Sequence, residues 1–244
     1  MTTRAYPWCA FTILWVLASL LSVFAFPWPP PMTGVVLGWA ALAGLVGAGL
    51  YFGREYGLGT PYLNTWCAGG LGTGRDWLRL AAAPLGGVAL GGLLAVWIRW
   101  GPLFGSAALQ ARFVGVARSP LVGRWAAVAY SGVVEEIVFR LFIVSLVVWM
   151  LRRIPLPSRR WPLGVVVWIA ILIAALAFGA AHLSKWSAEV SRLPSLAVSI
   201  LLLNGTVGSI LGYLYWRFGL EVAVLCHFGG DFAVYILLPK LFAG

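Results

Sequence analysis

The acidic and basic side chains of one apolar stretch form the pattern most able to do chemistry. Glu135 and Glu136 are adjacent, and Arg140 follows Glu136 by four residues, inside the apolar run 125–151. In a helix, a spacing of four places Glu136 and Arg140 on one face as an ion pair and displaces Glu135 by about 100°. One carboxylate is then neutralised, and the other is available as a general base that activates water.

The two histidines of the chain extend this candidate site. His182 follows Phe178 by four residues, His227 precedes Asp231 by four, and both histidines lie near the ends of later apolar runs. A single such histidine is more often a hydrogen-bonded packing residue, but the glutamate pair and both histidines together indicate one site shared by three helices. Small residues flank the cluster, namely Ser131, Gly132, Gly179, Ala180, Ala181, Gly229 and Gly230. They let helices approach closely and leave room for a water and an extended peptide.

The composition indicates that a lipid bilayer surrounds these residues. Of the 244 residues, 61% are hydrophobic and only 10% are charged, whereas roughly a quarter are charged in a soluble domain. The net charge of +10 comes mostly from arginines in short loops, which is typical of anchoring at a membrane surface and not of a nucleic-acid partner. The three cysteines, Cys9, Cys67 and Cys226, include no CxxC pair and predict neither a disulfide framework nor a thiolate zinc site.

Burial of charge in the membrane has a large cost, which argues for a function. An ionisable side chain near the bilayer centre costs roughly 2.5 to 3.5 kcal/mol, and an apolar residue returns only about 0.3 to 0.6 kcal/mol. Left unpaired, the three charges of run 125–151 would cost on the order of 10 kcal/mol. Such residues are typical of a functional site.

We predict an all-α fold, a polytopic bundle of about seven transmembrane helices, with eight as the alternative. Each span needs about 20 apolar residues, and the predicted spans are 8–26, 34–52, 80–98, 125–151, 162–183, 193–216 and 220–238. The first segment resembles a signal peptide in its flanks, but its apolar run is long for one, so a retained helix is expected. GxxxG spacings at Gly34/Gly38 and Gly87/Gly91 predict close helix contacts.

The orientation of the bundle stays open. The arginine-rich loop 151–161 favours the cytoplasm by the positive-inside rule. The arginines of the stretch 99–124 favour the opposite arrangement if seven plain spans are present.

Three motifs resemble those of the CPBP family of CAAX-type and bacteriocin-processing intramembrane proteases. They are EEIVFR at 135–140, FGAAH at 178–182 and HFGGD at 227–231, in the family order EExxxR, FxxxH and HxxxN/D. EExxxR alone is a common pattern, whereas the three motifs together are specific. The resemblance divides one continuous membrane domain into catalytic helices at 124–238 and N-terminal helices and loops at 1–123 outside the match.

The resemblance implies a glutamic endopeptidase that hydrolyses a peptide bond of a membrane-associated protein or peptide. Glu135 would be the general base that activates water against the peptide carbonyl, and His182 would share or orient that water. Glu136 and Arg140 would form a supporting ion pair.

The same resemblance assigns His227 and the residue four positions later to stabilising the oxyanion. Here that later residue is Asp231, whereas eukaryotic relatives have asparagine. An aspartate donates a hydrogen bond only when it is protonated, or it orients His227 instead, and both roles stay open. Phe178 and Ser131 are expected to line the site.

Other functions remain possible from the sequence alone. No cofactor is expected, and zinc held by the Glu, His, His and Asp set is the less favoured alternative because no HExxH motif occurs. An ion- or proton-coupled transporter would also bury such residues, but it predicts internal repeats, and none is detected. A non-catalytic scaffold or immunity protein is the remaining alternative. We expect a multi-pass protein of a bacterial plasma membrane, with the bilayer and the peptide substrate as partners.

Overall fold

The computed structural model describes residues 7–23, 32–100, 107–153, 160–184 and 195–239, whose regular structure is entirely helical. The α-helices are α1 (Trp8–Val23), α2 (Met32–Gly53), α3 (Pro61–Cys67), α4 (Gly74–Trp100), α5 (Ala107–Arg118), α6 (Leu121–Tyr130), α7 (Ser145–Arg153), α8 (Leu163–Leu183), α9 (Ser195–Phe218) and α10 (Leu220–Phe232). Three π-helical segments are π1 (Ser131–Glu135) and π2 (Ile137–Val144), which join α6 to α7, and π3 (Ala233–Leu237), which follows α10. The all-α prediction is confirmed.

Five helical stretches in the described ranges are long and apolar enough to cross a bilayer: α2, most of α4, α8, most of α9, and α10 with π3. Helix α1 is apolar but has 16 residues, and the run 121–153 is one continuous helix that changes between α and π geometry. A multi-pass bundle is therefore confirmed, and the number of seven or eight spans stays a prediction. The end of the first predicted span with its prolines at 27–31, most of the loop 151–161, and the start of the span 193–216 lie outside the described residues.

Glycines of α4 make the closest contact of the bundle. A Cβ atom added at Gly87 would collide with the carbonyl oxygen of Cys226, and one added at Gly91 would collide with that of Gly230. Both partners lie on α10, so the predicted close contact at this GxxxG pair is confirmed. This contact fixes α10, which carries one of the histidines, against α4.

The GxxxG prediction in α2 is wrong at Gly38, around which no described atom lies within 4 Å of an added Cβ. The close approaches of α2 occur later in the helix, where Gly49 contacts Leu141 of π2 and Gly53 contacts Ser145 of α7. At Gly49 and Gly53 the helix α2 approaches the run 121–153 so closely that a side chain there would collide with it.

A disulfide joins Cys9 of α1 to Cys67 of α3, with the two Cα atoms 6.0 Å apart. The prediction of no disulfide framework is therefore wrong. Helix α2 crosses the bundle and returns the chain to the level at which α1 begins, so cysteines 58 residues apart in sequence meet in space. Leu14 and Ala18 of α1 are buried in the main core, which favours a retained helix over a cleaved signal peptide.

The disulfide marks one end of the bundle, which we call the disulfide end. At this end the Leu220 amide donates to the Gly59 carbonyl over 2.9 Å, and Arg153 pairs with Glu55 at 2.7 Å. Helix α8 runs away from this end, because it begins shortly after α7 has finished there. His182, one residue before the end of α8, therefore lies toward the opposite end.

Candidate active site

Glu136 and Arg140 form an ion pair in the interior of the bundle. Arg140 Nη1 lies 2.9 Å from Glu136 Oε1, and the two side chains are 2% and 0% exposed. Arg140 also donates from Nη2 to the carbonyl of Gly208 on α9 over 3.4 Å. Its Cζ lies 4.6 Å from the ring centroid of Phe178, a cation–π contact. These partners offset the cost of burying the guanidinium.

The same carboxylate binds a histidine from another helix. Nδ1 of His227 on α10 lies 2.8 Å from Oε1 of Glu136. A carboxylate only accepts hydrogen bonds, so Nδ1 carries the proton and donates it. Glu136 therefore fixes the orientation of the His227 ring, a contact that the spacing of the motifs did not predict.

Asp231 lies on the other side of the His227 ring and is held by a serine. Its Oδ2 accepts a hydrogen bond from Ser131 Oγ and lies 3.7 Å from Nε2 of His227. Ser131 Oγ is also 2.9 Å from the Ala127 carbonyl, and its single proton serves one acceptor at a time. Two roles were left open for Asp231, donation to the oxyanion and orientation of His227. The hydrogen bond of Nδ1 that orients the His227 ring goes to Glu136 and not to Asp231.

Glu135 faces the end of α8. Its Oε2 lies 4.0 Å from Nε2 of His182, and the two side chains are 15% and 19% exposed, unlike the fully buried Glu136. Nδ1 of His182 lies 2.8 Å from the Phe178 carbonyl, which can only accept, so this nitrogen carries the proton. In the neutral ring Nε2 is then an acceptor, like the carboxylate of Glu135.

The two glutamates lie in the segment 131–144, which is π-helical except at Glu136, and they contact different partners. Glu136 lies between π1 and π2 and reaches α10, whereas Glu135 faces α8. Such segments are rare and occur often at functional sites, because a widened turn changes where side chains point. Close approach to α10 is possible at Gly132, where an added Cβ would lie 3.3 Å from the Cβ of Phe228. No residue type in the segment distinguishes π from α geometry.

The ring of Phe178 packs against three polar side chains of the site. It is 2% exposed, and its ring centroid lies 4.6 Å from that of His182 and 6.0 Å from that of His227. With Arg140 also stacked against it, this ring fixes the relative positions of three polar side chains. The Phe178 ring is buried behind these polar side chains and does not line an open surface.

All eight residues singled out in the sequence therefore lie in one cluster. Four come from the segment 131–140, two from α8 and two from α10. The cluster combines two acceptors facing each other, Glu135 and His182, with a histidine held between two carboxylates. Chemically, such a cluster offers acceptors that can take a proton from water and imidazole nitrogens that can donate to a developing negative charge.

The fold and this cluster define a class of protein, a multi-pass helical membrane protein with a buried site of carboxylates and imidazoles. Residues 117–233 match the family model described as Rce1-like, type II CAAX prenyl endopeptidase Rce1-like, and all eight site residues lie in the matched segment. This segment is just under half of the chain and is similar to the CAAX protease family, so the resemblance noted from the three motifs is confirmed. No curated protein and no solved structure matches the chain.

Proposed function

We propose that the protein is a glutamic intramembrane endopeptidase that hydrolyses a peptide bond of a membrane-associated protein or peptide. The observation that supports this most is the facing pair Glu135 and His182, two acceptors 4.0 Å apart beside the histidine His227 in the segment that matches the protease family. The similarity to that family supports a protease, and the geometry supports the glutamate-based mechanism.

The Glu135–His182 pair is suited to hold a water. A water molecule has two protons, and it can donate one to Glu135 Oε2 and the other to His182 Nε2. Its oxygen lone pair is then directed at the carbonyl carbon of a peptide. As the O–C bond forms, Glu135 takes the proton, and the carbonyl becomes an oxyanion. The protonated Glu135 then gives its proton to the leaving amine as the C–N bond breaks.

The oxyanion needs a donor, and His227 supplies it in this mechanism. In the imidazolium form both ring nitrogens donate, Nδ1 to Glu136 and Nε2 to the oxyanion. The contact at Nδ1, 2.8 Å long and buried, sets the direction of Nε2 before the substrate binds. Preorganised donors of this kind contribute about 2.7 to 4 kcal/mol to transition-state stabilisation.

The test is cleavage of membrane-anchored peptides in proteoliposomes, with products identified by mass spectrometry. Glu135→Gln removes the base but keeps the shape, so we expect cleavage to be abolished while insertion and thermal stability stay as in the wild type. Glu55→Gln is the matched control, because Glu55 pairs with Arg153 on the surface, and it is expected to retain activity. Cleavage by the Glu135 variant at the wild-type rate, or no cleavage of any peptide by the wild type, would overturn the proposal.

A further inference from the structure

A groove of about 370 Å³ opens at the disulfide end, between α3, the first turns of α4 and the end of α9. Its walls carry three tryptophans, two arginines and a phenylalanine, which are Trp66, Trp77, Trp216, Arg79, Arg217 and Phe218. None of the eight active-site residues lines it. Its size is in the range of sites for small ligands.

Aromatic rings hold the two arginines of the groove. Arg79 Cζ lies 5.4 Å from the ring centroid of Phe218, and Arg217 Cζ lies 5.8 Å from that of Trp216. A guanidinium stacked on a ring keeps the N–H groups at its edge available to an anion. The stacking thus orients both cations without neutralising them.

One carboxylate, that of Asp76, also lines the groove, but it is engaged at the start of α4. Its Oδ2 accepts hydrogen bonds from the amide of Thr73 at 2.9 Å and from the hydroxyl of Thr73 at 2.7 Å. Its Oδ1 makes only a long contact of 3.4 Å with Arg79, whose side chain is 48% exposed. Among the described residues that line the groove, two arginines face one aspartate, which gives an excess of positive charge.

The groove lies where the bilayer surface is expected. The membrane-crossing part of α4 begins at Gly74 and that of α9 ends at Phe218, and both residues flank the groove. Trp66 and Trp77 are 46% and 48% exposed, and their ring centroids are 5.6 Å apart. Tryptophan is enriched at this depth because its ring is apolar and its N–H is polar.

We propose that this groove binds the head group of an anionic phospholipid. The phosphate would accept hydrogen bonds from Arg79 and Arg217, since guanidinium matches phosphate in shape and charge. The glycerol and the first methylenes of the acyl chains would pack on the rings of Trp66 and Trp77. The occupant is a lipid and not a soluble phosphate, because the groove combines cations with an apolar wall at the depth of the lipid head groups.

The experiment measures lipid-dependent thermal stability of the full-length protein in neutral phosphatidylcholine bicelles with increasing phosphatidylglycerol. We expect phosphatidylglycerol to raise the melting temperature of the wild type saturably. In the double variant Arg79→Gln/Arg217→Gln, the mole fraction needed for half the effect should rise at least about tenfold, because charge-assisted hydrogen bonds to the phosphate are lost. The matched control is Arg54→Gln/Arg160→Gln, which removes the same charge outside the groove.

Three outcomes would overturn the proposal. The double variant could keep the wild-type dependence on phosphatidylglycerol, or the control could lose as much, which would indicate general surface attraction. Inorganic phosphate or glycerol phosphate could reproduce the stabilisation at millimolar concentration, which would identify a soluble phosphate as the ligand.

If the double variant melts early in phosphatidylcholine alone, Arg79→Lys/Arg217→Lys replaces it, since this variant keeps the charge but loses the paired donors. Retention of phosphatidylglycerol, counted by native mass spectrometry, is the second readout.

Discussion

Glu136 binds His227 across the bundle, with Oε1 and Nδ1 2.8 Å apart although 91 residues separate them in the chain. The same oxygen pairs with Arg140 at 2.9 Å. One buried carboxylate thereby joins the run 121–153 to α10 and sets the direction of an imidazole. The predictions below test this arrangement and its neighbours.

Loss of the Glu136 charge should destabilise the fold. Glu136→Gln leaves Arg140 buried without its counter-ion, and breaking a buried pair costs about 3 to 5 kcal/mol. Thermal unfolding in detergent measures the effect. Replacing both partners, as Glu136→Gln/Arg140→Met, should recover part of the loss because the orphaned charge is gone. A single variant as stable as the wild type would contradict the ion pair.

Asp231→Asn should retain peptide cleavage within about tenfold of the wild type. Glu136, and not Asp231, contacts Nδ1 of His227, and an asparagine amide donates a hydrogen bond to an oxyanion without needing protonation. Asp231→Ala leaves neither the carboxylate that accepts from Ser131 nor an amide that could donate, and should lose about 10² to 10³ in kcat, the loss expected for one polar group beside the oxyanion. Equal inactivity of the two variants would show that the carboxylate itself is essential.

Ser131 positions Asp231 and should affect turnover without affecting folding. Ser131→Ala removes a hydrogen bond of about 1 to 2 kcal/mol, so kcat is expected to fall about 5- to 30-fold. Ser131→Thr keeps the hydroxyl and should restore most of the rate. Ser209→Ala is the control, because the Ser209 hydroxyl donates to the Gly205 carbonyl of its own helix. The idea fails if Ser131→Ala and the control have the same kcat.

The Cys9–Cys67 disulfide should stabilise the protein and report its orientation. Cys9→Ser should lower the free energy of unfolding by about 2 to 4 kcal/mol. Disulfides persist in oxidising compartments, so after reduction Cys67 should react with an impermeant maleimide added outside intact cells. Arg152 and Arg153, in the last turn of α7 at this end of the bundle, favour the cytoplasm. If Cys67 reacts only after lysis, the disulfide end faces the cytoplasm, which agrees with the prediction from the arginines and contradicts the prediction from the disulfide.

The proposed mechanism uses no metal, so chelation should leave activity unchanged. Peptide cleavage is measured after prolonged incubation with 1,10-phenanthroline and dialysis. The same treatment should inactivate a zinc protease assayed in parallel. Loss of activity that added zinc restores would replace the Glu135 mechanism by a metal-dependent one.

The sequence alone predicted the class of fold, the family resemblance and the eight residues that the structure brings together. Apolar runs of bilayer length dictate membrane helices because buried backbone groups must be satisfied within each segment. The Glu136–Arg140 pair was predictable for a local reason, since a spacing of four residues places two side chains on one helix face.

Only the tertiary structure decided which helix faces meet. The contact of Glu136 with His227, the Cys9–Cys67 disulfide and the packing of Gly49 in place of Gly38 all join segments that are distant in the chain. Spacing fixes directions within one helix but carries no information on the rotation of one helix against another. That rotation depends on the packing of all side chains at once, and beside the candidate site the helix takes π geometry in the segments 131–135 and 137–144, which no residue pattern predicted.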